Sequence, residues 1–339
     1  MEFFLNMQIP SPKEKINYRD PIILLGSCFT EHIGEFLGDL KFTVFQNPNG
    51  ILFDPFSVSN SILSYIGRKS YQEEDLFQLN DLWHSWQHHS VFDHTDRHSA
   101  IRRINESQNK AHEFLKHARW LIITLGTAFS YQLSDTVPTA QRAGAGTSAA
   151  EVANCHRAPA PWFNKHLMTI EKIRRVMEQS MDQLYAFNPS IRTILTVSPV
   201  RHSRDGVVEN NRSKARLLEV VHQLVEKYER ACYFPAYELV IDVLRDYRFY
   251  DIDMVHPNYQ ATNFVLEKFC AHFVDEESNA LMDEIRKVIQ AKKHRPFFPE
   301  TQLHQQFRKN FLERTLALKS KYDFLNFEEE IAHFSLNKD

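Results

Sequence analysis

The chain has 339 residues, of which 43% are hydrophobic and 24% charged, proportions that sustain a sizeable core and exclude intrinsic disorder. Its formal net charge of −3, from 43 acidic against 40 basic residues with no long run of one sign, argues against a nucleic-acid or anionic-membrane footprint. Four scattered cysteines exclude a disulfide scaffold and fit a reducing cytoplasm, and no apolar run is long enough to span a bilayer.

In chain order, residues 1–15 carry Glu2 before the first lysine and reach Pro10 and Pro12 early, which is not the layout of a secretory signal. Short apolar runs at 21–26, 41–45, 120–126, 191–197 and 231–234 predict strands, unbroken in character because both faces of a parallel sheet are covered. Stripes at helical spacing lie between them. They are Ile33, Phe36, Leu37 and Leu40, then Phe163, Leu167, Ile170, Met177, Met181 and Leu184, then Leu218, Val221, Val225 and Tyr228. This alternation predicts a three-layer α/β/α fold with a mostly parallel sheet. Residues 134–153, rich in Ala, Thr and Ser, predict a mobile loop, either an active-site lid or a plain surface insertion. After about Asp275 the strand signal ends and helical spacing continues, so 1–274 reads as the main domain and 275–339 as a helical extension without catalytic groups.

Two turns carry the chemistry. At Gly26-Ser27-Cys28 a buried strand gives way at once to a helix, placing Ser27 at the carboxyl edge of the sheet and at a helix N-terminus. A serine there is often only a cap. At Asp253-Met254-Val255-His256-Pro257 a carboxylate precedes a histidine by three residues, a spacing that lets the acid hold the imidazole while the imidazole reaches a hydroxyl. Taken alone, that pair reads more readily as a cap and a structural histidine. The stretches Asn47-Pro48-Asn49-Gly50, Thr124-Leu125-Gly126-Thr127 and Asn154-Cys155-His156 offer backbone N–H groups and an amide for a developing oxyanion, or simple turn chemistry.

Gly26-Ser27-Cys28-Phe29-Thr30 resembles the signature that names the GSCFA family, with Thr30 where Ala is usual. Residues 47–55 and 121–127, Asn154-Cys155-His156, Ser198-Pro199-Val200-Arg201-His202, and 244–250 leading into 253–257 extend the resemblance in order over about 21–273. That family is similar to the SGNH/GDSL hydrolase clan, which implies an α/β/α fold, a nucleophile at Ser27, and Asp253 and His256 as its partners. The clan's oxyanion donors are a Gly after the second strand and an Asn after the third. Gly50 matches the first; Gly126-Thr127-Ala128-Phe129 lacks the Asn, and Asn154 stands as the replacement, with Gly126 and His156 on the same substrate-binding face.

The expectation is therefore a serine esterase without metal or cofactor, acting on a small-molecule or carbohydrate O-acyl (acetyl) ester. O-acyl transfer at the same site and a non-catalytic binding module are the alternatives. A metal enzyme built from Cys155, His156, Asp253 and His256, with His84, His88, His89, His94 and His98 as further ligands, lacks any familiar zinc spacing; His84 and His88 read as a polar helix face. A Cys28 thiolate is the remaining rival, although Cys28 suits the role of a small buried hydrophobe better.

Overall fold

The computed structural model describes residues 5–145 and 150–335. In chain order its strands are β1 (Ile22–Gly26), β2 (Val44–Gln46), β3 (Phe77–Leu79), β4 (Leu82–His84), β5 (Trp120–Leu125), β6 (Phe129–Leu133), β7 (Glu151–Val152), β8 (Phe163–Leu167), β9 (Arg192–Val197) and β10 (Ala231–Tyr233). Five of them form one parallel sheet in the order β2-β1-β5-β9-β10. The fold is α/β, three layers deep, as the alternation of apolar runs and helical stripes predicts.

Every residue of β1 and β5 is buried, because helices cover both faces. Alternation along β1 sends Ile22 and Leu24 to one core and Ile23 and Leu25 to the other. The second core is closed by α2 (Pro55–Ile66), α3 (Arg97–His117), α4 (Ile170–Phe187) and α5 (Val207–Lys227). Asp54 starts α2 by accepting the Ser57 N–H at 3.0 Å, with Pro55 at the first helical position, where its missing N–H costs nothing.

The first core is closed by α1 (Cys28–Asp39), helix Tyr259–Phe273 and the C-terminal helices Glu276–Lys293, Gln302–Lys321 and Glu328–Ser335. Leu281, Ile285, Leu318 and Phe327 belong to the same apolar cluster as Ile22 and Leu24, so the helical extension is packed into the first core. A buried ion pair reinforces the join, since Lys41 Nζ lies 2.9 Å from the Glu330 carboxylate.

Several elements differ from the sequence expectation. The stripe from Phe163 is not helical at its start: β8 pairs antiparallel with β6, and the helix begins at Ile170 behind the Thr169 cap. Strand edges and helix faces share apolar spacing over so few residues. His84 ends β4 in a hairpin with β3, so His84 and His88 do not share a helix face. In the 134–153 segment, Val137, Ala145 and Val152 are buried against Phe77 and Trp86, and β7 pairs with β6, which corrects the expectation of a mobile loop for its described part. Residues 146–149 lie outside the described residues. Among the described residues, no helix is long and apolar enough to cross a membrane.

Candidate active site

Numbered by their order in the chain, the strands of the central sheet run 2-1-3-4-5, and chain connections diverge in opposite directions from β1 and β5. In open α/β sheets the crevice outside the carboxyl ends at that switch point is the place where ligands bind. Gly26 closes β1 there, in register with Thr124 of β5, which is in register with Thr196 of β9.

Ser27 follows Gly26 as the N-cap of α1, yet its side chain makes no capping hydrogen bond. Its Oγ is buried and unpartnered among the described residues, and so are the hydroxyls of Thr30, Thr124 and Thr196 and the Nδ2 of Asn47. Buried polar atoms are nearly always satisfied, so each of these orphaned groups near the carboxyl ends of the strands calls for a partner such as an ordered water or a ligand. The turn itself is fixed sterically. Gly26 has φ +144°, and a Cβ on it would lie 2.3 Å from Thr124 O, while its N–H donates to Asn47 Oδ1 at 3.0 Å.

Asp253 and His256 form a dyad, with His256 Nδ1 2.6 Å from Asp253 Oδ2. Asp253 Oδ1 also accepts the N–H groups of Val255 at 2.8 Å and His256 at 3.0 Å. The His256 side chain, followed by those two N–H groups, holds the Asp253 carboxyl down to about 2. This turn lies at the same sheet edge as Ser27, because Arg201, in the loop that leaves the carboxyl end of β9, donates its N–H to Val255 O at 3.1 Å. A cleft of about 170 Å³ opens beside the dyad, lined by Arg201, Asn210, Tyr247, Asp253 and Met254 among others. Ser27 and His256 are not hydrogen-bonded to each other: Ser27 is 4% exposed, whereas the His256 side chain is 48% exposed.

The expected oxyanion donors are placed differently. Gly50 N–H donates to Asn47 O at 2.7 Å and Gly126 N–H to Phe53 O at 2.7 Å, so neither N–H is open to a substrate. Both glycines serve close packing instead, since an added Cβ would lie 2.3 Å from His89 Cβ at Gly50 and 2.9 Å from Phe53 Cβ at Gly126. Asn154 Oδ1 accepts the His156 N–H at 2.8 Å, which leaves its amide nitrogen as the donor. His156 is corrected outright: its side chain is wholly buried and both ring nitrogens face protein atoms, so it presents nothing to a substrate.

The structure adds groups to which the sequence gave no role. Lys214 is buried at the strand ends, where Nζ donates to Gly126 O and Ser198 O, both at 2.6 Å. Burial brings its ammonium down to about 7. His202 packs near Phe53 with ring centroids 5.5 Å apart, and burial, then Lys214, lowers it to about 4, so it is neutral at pH 7. No local pattern in the sequence marks Lys214, whose helix reads as an ordinary amphipathic one. The Cys28 thiol is pushed up by burial, which weakens it as a nucleophile.

The match to known families decides the kinship. A model described as the GSCFA family covers residues 21–269, and one described as the GSCFA domain protein, C-terminal domain, covers 285–336. The chain belongs to the GSCFA family. In this GSCFA protein the first match takes in β1 through most of helix Tyr259–Phe273, including Ser27, Asp253 and His256. The second covers the last part of helix Glu276–Lys293 and the two helices that follow it, which help to close the first core. No curated protein and no solved structure matches the chain.

Proposed function

We propose that this GSCFA protein is a serine esterase-type hydrolase, related in design to the SGNH/GDSL hydrolases, that removes small O-acyl groups through an acyl-enzyme on Ser27. The observation that carries this reading is the unpartnered, buried Ser27 Oγ at the switch point, on the same sheet edge as an Asp253–His256 dyad. His256 takes the Ser27 proton as the hydroxyl attacks the ester carbonyl, and Asp253 orients the imidazole and stabilises its charged form. The oxyanion is met by the spare amide donors Asn47 Nδ2 and Asn154 Nδ2 and by the N-terminus of α1. Water then releases the acyl group, or a sugar hydroxyl accepts it. This chemistry requires the exposed 251–257 turn to close over Ser27; catalytic hydrogen bonds are often long before substrate binds. The substrate class is a small or carbohydrate-borne ester, and four free thiols fit a cytoplasmic setting.

A second reading, a binding module with the same fold, is favoured by the occupied N–H groups of Gly50 and Gly126 and by the separation of Ser27 from His256. Labelling with a fluorophosphonate followed by peptide mapping separates the two. The esterase reading expects the label on Ser27, and its loss in Ser27→Ala; a folded protein that neither reacts nor hydrolyses any aryl ester supports the binding module.

A further inference from the structure

Three side chains apart from Ser27 and the Asp253–His256 dyad meet at one point with too few protons to satisfy them. His84 at the end of β4, Asp93 after the turn Ser90–Phe92, and His156 after β7 come together from three segments. His84 Nδ1 lies 2.9 Å from Asp93 Oδ2 and 3.2 Å from His156 Nδ1, and His156 Nδ1 lies 3.3 Å from Asp93 Oδ1. Both imidazoles are buried, and the Asp93 side chain is 11% exposed.

The outer ring nitrogens settle the protonation pattern. His84 Nε2 is 3.0 Å from Leu79 O, and His156 Nε2 is 2.8 Å from Ser85 O. Backbone carbonyls only accept, so each Nε2 carries its hydrogen, and in the neutral ring each Nδ1 presents a lone pair. Two lone pairs and a carboxylate then face the same point. One added proton bridges a single pair and leaves the third acceptor unserved. A proton on each ring places two cations 3.2 Å apart in a buried site. Asp93 Oδ1 is itself buried without a hydrogen-bond partner among the described residues.

One divalent cation serves all three groups at once. Tetrahedral zinc, with bonds of about 2.0–2.1 Å to nitrogen and oxygen, holds its ligand atoms about 3.3 Å apart. The observed separations of 2.9, 3.2 and 3.3 Å need adjustments of tenths of an ångström. Backbone carbonyls that fix the far nitrogen of each imidazole are the usual outer shell of metal-bound histidine. The surroundings are aromatic, with Phe77 stacked on Trp86 at 3.8 Å and the His84 ring 5.2 Å from Phe77, which suits a closed site rather than one open to substrate.

We infer that His84, Asp93 and His156 form a divalent transition-metal site, best matched by Zn2+, which pins the β3–β4 hairpin, the 90–93 turn and the turn after β7 together. The second carboxylate oxygen or a water completes the shell. The held segment also supports the sheet edge, because His89 N–H donates to Asn49 O at 2.9 Å and His89 Cβ fills the space a side chain at Gly50 would need. The metal set weighed from the sequence is thereby regrouped. Asp253 and His256 pair on a different turn, and Cys155 is not part of the cluster. This inference does not depend on Ser27 being a nucleophile.

The test is elemental analysis of the purified full chain, with Zn2+, Co2+ and Fe2+ titrated into chelator-treated protein while thermal unfolding is followed. The site predicts one ion per chain, visible d–d bands with Co2+, and a metal-dependent rise in Tm that Asp93→Asn and His156→Gln both lose. Asp93→Asn keeps the side chain's size, so its far-UV circular dichroism shows whether the loss is one of metal or of folding. Stoichiometric iron in place of zinc would support the site and correct the ion. A metal-free chain, with no Tm shift and no Co2+ bands at saturating metal, would overturn it and leave a proton-bridged polar knot.

Discussion

Lys214 Nζ holds Gly126 O at 2.6 Å and, through its second bond to Ser198 O, ties the carboxyl ends of β5 and β9 together beside the Ser27 turn. A buried ammonium is disfavoured by desolvation, which brings it from 10.5 to about 7. Between those values the unfolded chain holds a proton that the folded chain does not, so stability rises with pH across that window and is lost as pH falls toward 7. From pH 7 to 9 the gain attributable to this residue is about 2 kcal/mol. Lys214→Met should remove that slope while costing stability at high pH through two unsatisfied carbonyls, as read from urea unfolding at several pH values. Identical slopes in the two proteins would refute the assignment.

If Ser27, Asp253 and His256 act as a unit, Ser27→Ala and His256→Ala should each abolish most hydrolysis of an activated short-chain aryl ester. The double variant should lose little more, because members of a triad are strongly non-additive. Simple multiplication of the two losses would argue for separate roles. The bound-metal content of Ser27→Ala should equal that of the parent chain, which keeps this result apart from any metal effect.

The pH profile distinguishes the candidate bases. Asp253 is ionised at every pH above about 2, so its titration does not set an acid limb above that pH. His202 titrates near 4 and is already neutral through the mildly acidic range. With His256 as the base, His202→Gln should leave the acid limb of kcat/KM in place. A limb near pH 4 that disappears in His202→Gln would transfer the role to His202.

Asn47→Asp should lower kcat by about 100-fold with little change in KM, the loss expected when one oxyanion donor is removed. The aspartate keeps the oxygen that accepts the Gly26 N–H and tolerates the φ of +44° at this position, so the turn should survive. An unchanged kcat would leave Asn154 as the side-chain donor, to be checked with Asn154→Ala.

Glu330 is 2% exposed and bridges Lys41 after α1 and Lys292 in the first of the C-terminal helices. Glu330→Ala leaves the Lys41 ammonium without its carboxylate, while Lys292 keeps its pair with Glu329 at 2.8 Å, and should cost about 2 kcal/mol, measured by chemical denaturation. Truncation after residue 274 should give an insoluble chain, because it strips Leu281, Ile285, Leu318 and Phe327 from the first core and leaves their apolar neighbours bare. A soluble, cooperatively folding truncation would show the extension to be dispensable.

The sequence alone determined the parallel sheet, since β1, β5 and β9 are largely apolar, as strands covered on both faces must be, and that demand is local and readable. It likewise determined the Ser27 turn and the Asp253–His256 pair, in which the partners lie within three residues of each other. Other features depended on contacts between distant segments. Whether an N–H at Gly50 or Gly126 is open depends on carbonyls at Asn47 and Phe53, one within its own turn and the other 73 positions away. The His84, Asp93 and His156 cluster joins segments up to 72 positions apart, a separation at which no spacing motif survives. Lys214 reads as one more charge on an amphipathic helix until packing takes it out of water. Burial and long-range pairing set the protonation and donor state of these groups, and only the tertiary structure decides both.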